Sequence, residues 1–392
     1  MNGKVILILL FIPLAVIMQD SYGQEGKNSI AFTPILGLDI NSPDNNKLKG
    51  SYYGAELAYQ LSMANNKAEW VRLLHVEDIA IIFSYFNLQN IALAAKPGSQ
   101  GFLGSNFGII GGLDISLLKR GKVNFLFSPG AGLLYATQTY YTVYNPIVGS
   151  HINLAVQAGV KAQMPISSST KIQAGLCYFH YSNTALKLPN DGINSINATF
   201  SIVQNINSNG PVNKKMPFVI NNKHFFEFGI GIGRRGYIQT GQYTNHQTGE
   251  PINLTDTAAQ KAAVSDLYQI GVYAGYNYHL SRLLSLKLGT DVVYYFIPFS
   301  YNNFYRTYQE LGTSNDKLSL GLSVGTDLWL GRLAFAVNYG YLLHYSTINP
   351  VHTYWTIGGK YYLSSWMAIN AKIHIHSFEA HYANFGLSFN VY

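Results

Sequence analysis

The sequence predicts an all-β protein, a transmembrane antiparallel β-barrel, and three observations lead to this prediction. Charged residues make up only 11% of the 392-residue chain, whereas aromatic residues make up 14%, with 30 Tyr and 37 Gly. Segments of about ten residues alternate apolar and polar side chains, as do barrel strands with one lipid-facing and one lumen-facing surface. After the N-terminus, no stretch has the ~18 unbroken apolar residues of a spanning helix.

The composition excludes several other classes of protein. The chain is 48% hydrophobic, which is too apolar for a disordered segment. It has no glycine triplet and no heptad period, so it is neither collagen nor a coiled coil. Its one cysteine, Cys177, excludes an intramolecular disulfide framework and a cysteine-cluster metal site.

Residues 1–23 have the pattern of a secretory signal peptide. Lys4 supplies the positive start, residues 5–18 (VILILLFIPLAVIM) form an apolar core of signal length, and Ser21 and Gly23 are small residues suited to a cleavage site. In lipid, only helices and closed barrels satisfy every backbone hydrogen bond. An exported chain with alternating strands and no later spanning helix is therefore expected in the bacterial outer membrane.

The alternation is clearest at residues 318–330 (LSLGLSVGTDLWL), where leucine and valine dominate one parity and small or polar residues the other. Short turns alternate with longer polar loops, which predicts about 16 strands with the short turns in the periplasm. We expect one barrel of about 16 strands over residues 24–392. The alternative is two smaller eight-stranded halves, 24–206 and 224–392.

Three polar residues interrupt the apolar parity at the loop ends of two neighbouring strands. His180 and Ser182 continue the lipid-facing parity of Leu176 and Tyr178, and Asn194 has the lipid-facing parity of the next strand. Residues two apart on a strand share a face at ~6.6 Å between Cα atoms. The imidazole can therefore accept the hydroxyl proton and make the serine a nucleophile. Alternatively, the strands have left the hydrocarbon here, because polar residues are ordinary at a barrel rim.

The remaining groups of an esterase site are also close in sequence. A third group must orient the imidazole, and Asn194 can do so for His180, with Asp191 as the nearest carboxylate in the loop. The Asn183 and Asn190 amides, or backbone N–H groups of the turn after the strand, are candidate oxyanion donors. This pattern predicts a serine esterase facing the outer leaflet, where the abundant acyl ester is lipid A.

The stretch from His180 to Asn194 (HYSNTALKLPNDGIN) closely resembles the active-site segment of the lipid A 3-O-deacylase (PagL) and acyloxyacyl hydrolase family of outer-membrane barrels. Residues 145–153 (NPIVGSHIN) and the pair at 69–70 (EW) also resemble that family. The close resemblance covers mainly residues 100–205 and becomes loose in the C-terminal half.

The resemblance implies an outer-membrane serine esterase that removes an ester-linked acyl chain from lipid A, with its triad on the outside of the barrel. His180 is then the base and Ser182 the nucleophile, and Asn183 and Asn190 match positions of the oxyanion site or its support. The best-known members carry Glu at the position of Asn194. The third member of the triad is therefore Asn here, or another acid replaces it.

The expected partners are lipid A, or lipopolysaccharide, and outer-membrane lipid; we expect no cofactor, no metal at the site and no nucleic acid. Residues 24–206 are the deacylase-like half that carries the site, and 224–392 are a more divergent half. The alternative function is a non-catalytic barrel, either a channel or a structural protein. His374 and His376 share the lumen parity, and without an evident third ligand they predict a polar lining rather than a metal pair.

Overall fold

The structure is a computed structural model, and it describes ten segments of the chain. The predicted signal peptide at residues 1–23 lies outside them and stays a prediction. The described residues are 27–41, 48–94, 98–143, 145–187, 189–206, 222–238, 264–296, 317–345, 352–376 and 379–392.

The first compact unit contains a closed antiparallel barrel of eight strands. The elements of this unit are β1 (Ser29–Asn41), β2 (Leu48–Lys49), β3 (Tyr53–Ser62), α1 (Glu69–Leu73), β4 (Val76–Asn87), β5 (Ala92–Leu93), β6 (Ser105–Arg120), β7 (Val123–Ala136), β8 (Ile152–Pro165), β9 (Thr170–Ser182) and β10 (Ile193–Asn205). The order of the barrel strands is β1-β10-β9-β8-β7-β6-β4-β3, and β3 pairs with β1 to close the barrel. β2 and β5 form a separate two-stranded sheet, and α1 precedes β4.

The second compact unit contains another closed barrel of eight antiparallel strands. Each strand pairs with the next along the chain, and the last pairs with the first to close the sheet. The strands are β11 (His224–Ile238), β12 (Val264–His279), β13 (Leu284–Tyr295), β14 (Leu318–Leu330), β15 (Leu333–Tyr345), β16 (Thr353–Tyr362), β17 (Met367–His376) and β18 (Glu379–Val391).

The number of barrel strands in the described residues agrees with the prediction of about 16, but the preferred single barrel is wrong. β10 returns to β1, with Ile202 opposite Phe32, and β18 returns to β11, with Leu387 opposite Ile230. The alternative of two eight-stranded halves is confirmed. Alternation sets the face on which a side chain lies, and both closures satisfy it equally. The partner of each terminal strand depends on pairing between distant segments, which periodicity does not encode.

The predicted parity of the strands is confirmed. On β9 the outward residues Leu176 and Tyr178 are 55% and 46% exposed, whereas Phe179 and Tyr181 point inward and are almost fully buried. The short connections predicted near residues 119–122 and 331–332 join β6 to β7 and β14 to β15. An apolar outer face and a polar inner face are what a barrel in lipid requires. In the described segments, no helix is long and apolar enough to cross a membrane.

Both barrels enclose paired polar and charged side chains. In the first barrel Asp114 accepts a hydrogen bond from Ser128 and lies 3.4 Å from the Lys161 ammonium nitrogen. In the second barrel His374 and His376 are buried, as their parity predicts. Across the part of the chain that the structure describes, no group of three or more His, Cys, Asp or Glu side chains can hold a metal ion.

Candidate active site on the outer face of the first barrel

Two neighbouring strands of the first barrel, β9 and β10, bring His180, Ser182 and Asn194 to one end of its outer face. His180 on β9 lies directly opposite Asn194 on β10, and Ser182 lies opposite Leu154 on β8. The intervening residue Tyr181 is buried in the barrel. Because successive side chains of a strand point to opposite faces, His180 and Ser182 both point outward, as predicted.

A hydrogen bond joins His180 to Asn194, two of these predicted site residues. His180 Nδ1 lies 2.8 Å from Asn194 Oδ1. A carboxamide oxygen only accepts hydrogen bonds, so Nδ1 carries the imidazole proton and the lone pair is on Nε2. The same oxygen accepts a second hydrogen bond, at 2.6 Å, from the Tyr178 hydroxyl. Asn194 is thus in contact with the imidazole at the nitrogen where an orienting group would bind.

The side chains of His180 and Ser182 both lie beside Gly192. Its backbone is in the left-handed region, with φ of +70°. A β-carbon at this position would stand 2.9 Å from His180 Cε1 and 3.2 Å from Ser182 Cβ, so both side chains pack against the bare Cα. Among the residues that the structure describes, no hydrogen bond joins the Ser182 hydroxyl to His180. Such contacts are often long without substrate and tighten in the reacting complex.

The loop from β9 to β10 is held by the predicted oxyanion residues. The backbone N–H of Asn183 donates to Asn190 Oδ1 at 2.7 Å, and the Asn183 side chain is buried. Thr184 and Ala185 then take positive φ angles of 55° and 61°, which turn the chain sharply. The Asn183 N–H and the Asn190 oxygen therefore stabilise the turn beside Ser182.

The loop before β8 supports this turn from the other side. Asn145 is fully buried, and its side-chain oxygen accepts hydrogen bonds from the backbone N–H groups of Ile147 and Val148 at 3.0 and 3.1 Å. Val148 forms a β-bridge to Asn190, and the backbone N–H of Asp191 donates to the Ile147 carbonyl. Asp191, predicted as an alternative acid, is thus anchored through its backbone, while His180 Nδ1 contacts Asn194.

The sequence pattern does not single out two neighbours of the site. It places Tyr178 only in the lipid-facing row, although Tyr178 shares the parity of His180 and is two residues from it on the same strand. Gly192 is one of the fifteen residues of the recognised stretch. Its packing against His180 and Ser182 depends on how the loop folds back, and no spacing rule gives that.

Two family models match the chain in succession. Residues 49–203 match lipid A 3-O-deacylase (PagL), and residues 226–392 match the acyloxyacyl hydrolase C-terminal domain. The chain belongs to the PagL and acyloxyacyl hydrolase family. It is therefore an outer-membrane protein of a family of hydrolases that act on ester bonds, and the resemblance found in the sequence is confirmed.

Solved structures of outer-membrane barrels are also similar to parts of the chain. The crystal structure of the outer membrane enzyme PagL has 16% sequence identity and covers 44% of this chain and 97% of its own, with a TM-score of 0.27. Neisserial surface protein A (NspA) has 9% identity and covers 46% of this chain and 96% of its own, with a TM-score of 0.31. The comparison with curated proteins gave no match.

Proposed function

We propose that this member of the family is a serine esterase that hydrolyses an ester-linked acyl chain of lipid A in the outer leaflet. The main support is the arrangement around His180, whose Nδ1 proton is bonded to Asn194 and whose ring packs with Ser182 against Gly192. This arrangement leaves Nε2 as a proton acceptor beside a hydroxyl. Side chains in these roles are what acyl transfer needs.

In the proposed reaction the Ser182 oxygen attacks the ester carbonyl carbon while His180 Nε2 accepts the hydroxyl proton. The bond between the carbonyl carbon and the sugar oxygen then breaks, and His180 returns its proton to that oxygen. Water, activated by the same imidazole, next attacks the acyl ester of Ser182. This step releases the fatty acid and restores the serine hydroxyl.

Asn194 performs one of the two tasks of a triad acid. Its side-chain oxygen holds the imidazole in the tautomer with the proton on Nδ1. It brings no negative charge to stabilise the imidazolium that forms during attack. We therefore infer that the enzyme has a properly oriented base but a lower intrinsic rate than a triad with a carboxylate.

The outward position of the site suits a substrate that stays in the membrane. The outer face of β9 below His180 presents Leu176, and the neighbouring strands present Val160 and Ile196, all exposed. An acyl chain in the leaflet can lie against this surface while its ester reaches Ser182. The alternative function, a channel, has less support because partly buried ion pairs such as Lys161–Asp114 occupy the lumen.

The proposal predicts a change in lipid A when the protein is made in Gram-negative cells. Mass spectrometry of purified lipid A is expected to show the loss of one hydroxyacyl chain relative to cells with an empty vector. Glycerophospholipids from the same cells provide a second comparison. If the protein reaches the outer membrane and the lipid A spectra of the two strains coincide, the proposed substrate is wrong.

Gly192→Ala is expected to lower lipid A hydrolysis about 100-fold, because displacing a catalytic group by about 1 Å costs that much. The added methyl group would meet His180 Cε1 at 2.9 Å, and the ring must move away. Detergent-solubilised enzyme and purified lipopolysaccharide give the rate. Gly121→Ala is the matched control, since it has a similar φ of +62° with nothing within 4 Å. Equal activity of the two variants would contradict the role of Gly192.

A further inference from the structure

Asn194 accepts hydrogen bonds from two side chains of β9, and only one of them has a role in the proposed reaction. His180 Nδ1 and the Tyr178 hydroxyl both donate to Asn194 Oδ1, at 2.8 and 2.6 Å. Tyr178 lies opposite Ile196, two residues along β10 from Asn194. A long aromatic side chain reaches such a diagonal neighbour across two antiparallel strands. Both lone pairs of the Asn194 oxygen are thereby used.

A carboxamide differs from a carboxylate because its two ends are not equivalent. If the Asn194 side chain turned by half a rotation, its NH₂ group would donate to His180 Nδ1. The imidazole proton would then be on Nε2, and this tautomer cannot accept the proton of Ser182. A carboxylate has no such wrong orientation, because both of its oxygens accept.

We propose that Tyr178 is a positioning residue that holds the Asn194 oxygen toward His180 and so keeps Nε2 free to act as the base. This inference rests on the proposed function. A phenolic hydroxyl is a better hydrogen-bond donor than acceptor, because its oxygen lone pair is delocalised into the ring. Tyr178 therefore favours the oxygen end of the carboxamide over the nitrogen end.

In the row of side chains that is in register with Tyr178, no other group can donate to Asn194, whereas the exposed Asn41 lies opposite Asn194 itself, in the next row of the same face. Strand pairing sets Tyr178 in one row with Ala158 on β8, Ile196 on β10 and Asp39 on β1. Ala158 and Ile196 have no polar side-chain atom, and the carboxylate oxygens of Asp39 accept hydrogen bonds. In this described row, the phenol is the one side chain that can donate to Asn194.

The experiment compares Tyr178→Phe in two backgrounds, the natural chain and Asn194→Glu. With Asn194 present, kcat for lipid A hydrolysis is expected to fall about tenfold with little change in KM, since one oriented hydrogen bond is lost. With Glu at position 194, the same substitution is expected to change kcat less than about twofold, because a carboxylate needs no such orientation. Equal losses in the two backgrounds would overturn the proposal.

Tyr53→Phe is the matched control, because the Tyr53 hydroxyl also bonds an asparagine, Asn87, on the outer face, but on β3 and β4. Its kcat is expected to equal that of the natural chain. If Tyr53→Phe lowers kcat as much as Tyr178→Phe does, the effect is a general loss of barrel order and the positioning role is refuted.

Nitrogen-15 NMR of the labelled histidines gives a readout that does not require activity. The His180 signals are assigned by their absence in His180→Gln, at a pH where the imidazole is neutral. The natural chain is expected to carry the proton on Nδ1, and Tyr178→Phe is expected to add the tautomer protonated on Nε2. If that shift occurs in a protein that hydrolyses no lipid A, the proposed function fails and the positioning role stands. An unchanged tautomer in Tyr178→Phe refutes the positioning role.

Discussion

Ser182→Ala is expected to reduce lipid A hydrolysis at least about 10⁴-fold, which is the scale of loss when the nucleophile of a serine hydrolase is removed. Alanine lacks the oxygen that forms the acyl ester, and no water bound at that place reproduces the covalent step. The fold of the barrel should be unaffected, because Ser182 is the last residue of β9 and its side chain has no hydrogen bond among the described residues. The rate is measured with purified enzyme and lipopolysaccharide.

Three further variants show whether Ser182 and His180 act as one catalytic unit. Ser168→Ala changes an exposed serine in the turn between β8 and β9, at the other end of the hairpin, and should retain full activity. His180→Gln should lose as much as Ser182→Ala, and the double variant should lose no more, since residues that act as a unit are not additive. If Ser182→Ala keeps a tenth of the activity or more, another group is the nucleophile.

The outward placement of the site could be predicted from the sequence because it depends only on parity along single strands. His180 and Ser182 are two residues apart, so they share a face whatever the strand pairs with. The hydrogen bond between His180 and Asn194 needed one more condition, the register that sets these residues opposite each other across β9 and β10. The length of the loop between β9 and β10 permits that register, and the structure shows His180 paired with Asn194.

The supporting contacts could not be predicted because they depend on how loops fold back. The bridge from Val148 to Asn190 joins two loops that are far apart in sequence, and its geometry depends on the buried Asn145 side chain. The closure of the barrels likewise depends on pairing between segments that are far apart in sequence. β1 and β10 are separated by most of the first unit, and no local pattern in β10 specifies that it pairs with β1 rather than β11.

The second barrel contains a cluster of four buried charges, and its members also come from distant parts of the sequence. Lys360 on β16 contacts Glu227 on β11, at 2.9 Å, and Asp327 on β14. Lys287 on β13 contacts the same two carboxylates, at 3.0 and 3.4 Å. All four side chains are almost fully buried, so each charge depends on its partners in place of water. Two lysines and two carboxylates leave the cluster without formal net charge.

Lys360→Met is expected to destabilise the protein by about 3–5 kcal/mol, because it leaves two buried carboxylates with one cation. Unfolding by denaturant in detergent micelles gives the free energy. Tryptophan emission is a suitable probe, since three of the four tryptophans belong to the second unit, including Trp329, whose ring lies 6.0 Å from the Lys360 ammonium nitrogen.

Two comparisons separate lost charge balance from lost packing. Adding Glu227→Gln to Lys360→Met restores one cation to one anion, so the double variant should recover much of the stability; if it is less stable than Lys360→Met alone, packing rather than charge balance accounts for the loss. Lys119→Met breaks the exposed ion pair with Glu77 and should cost about 1 kcal/mol or less. A loss as small for Lys360→Met would mean that water reaches the cluster, and the lumen of the second barrel would then be hydrated rather than closed by its own side chains.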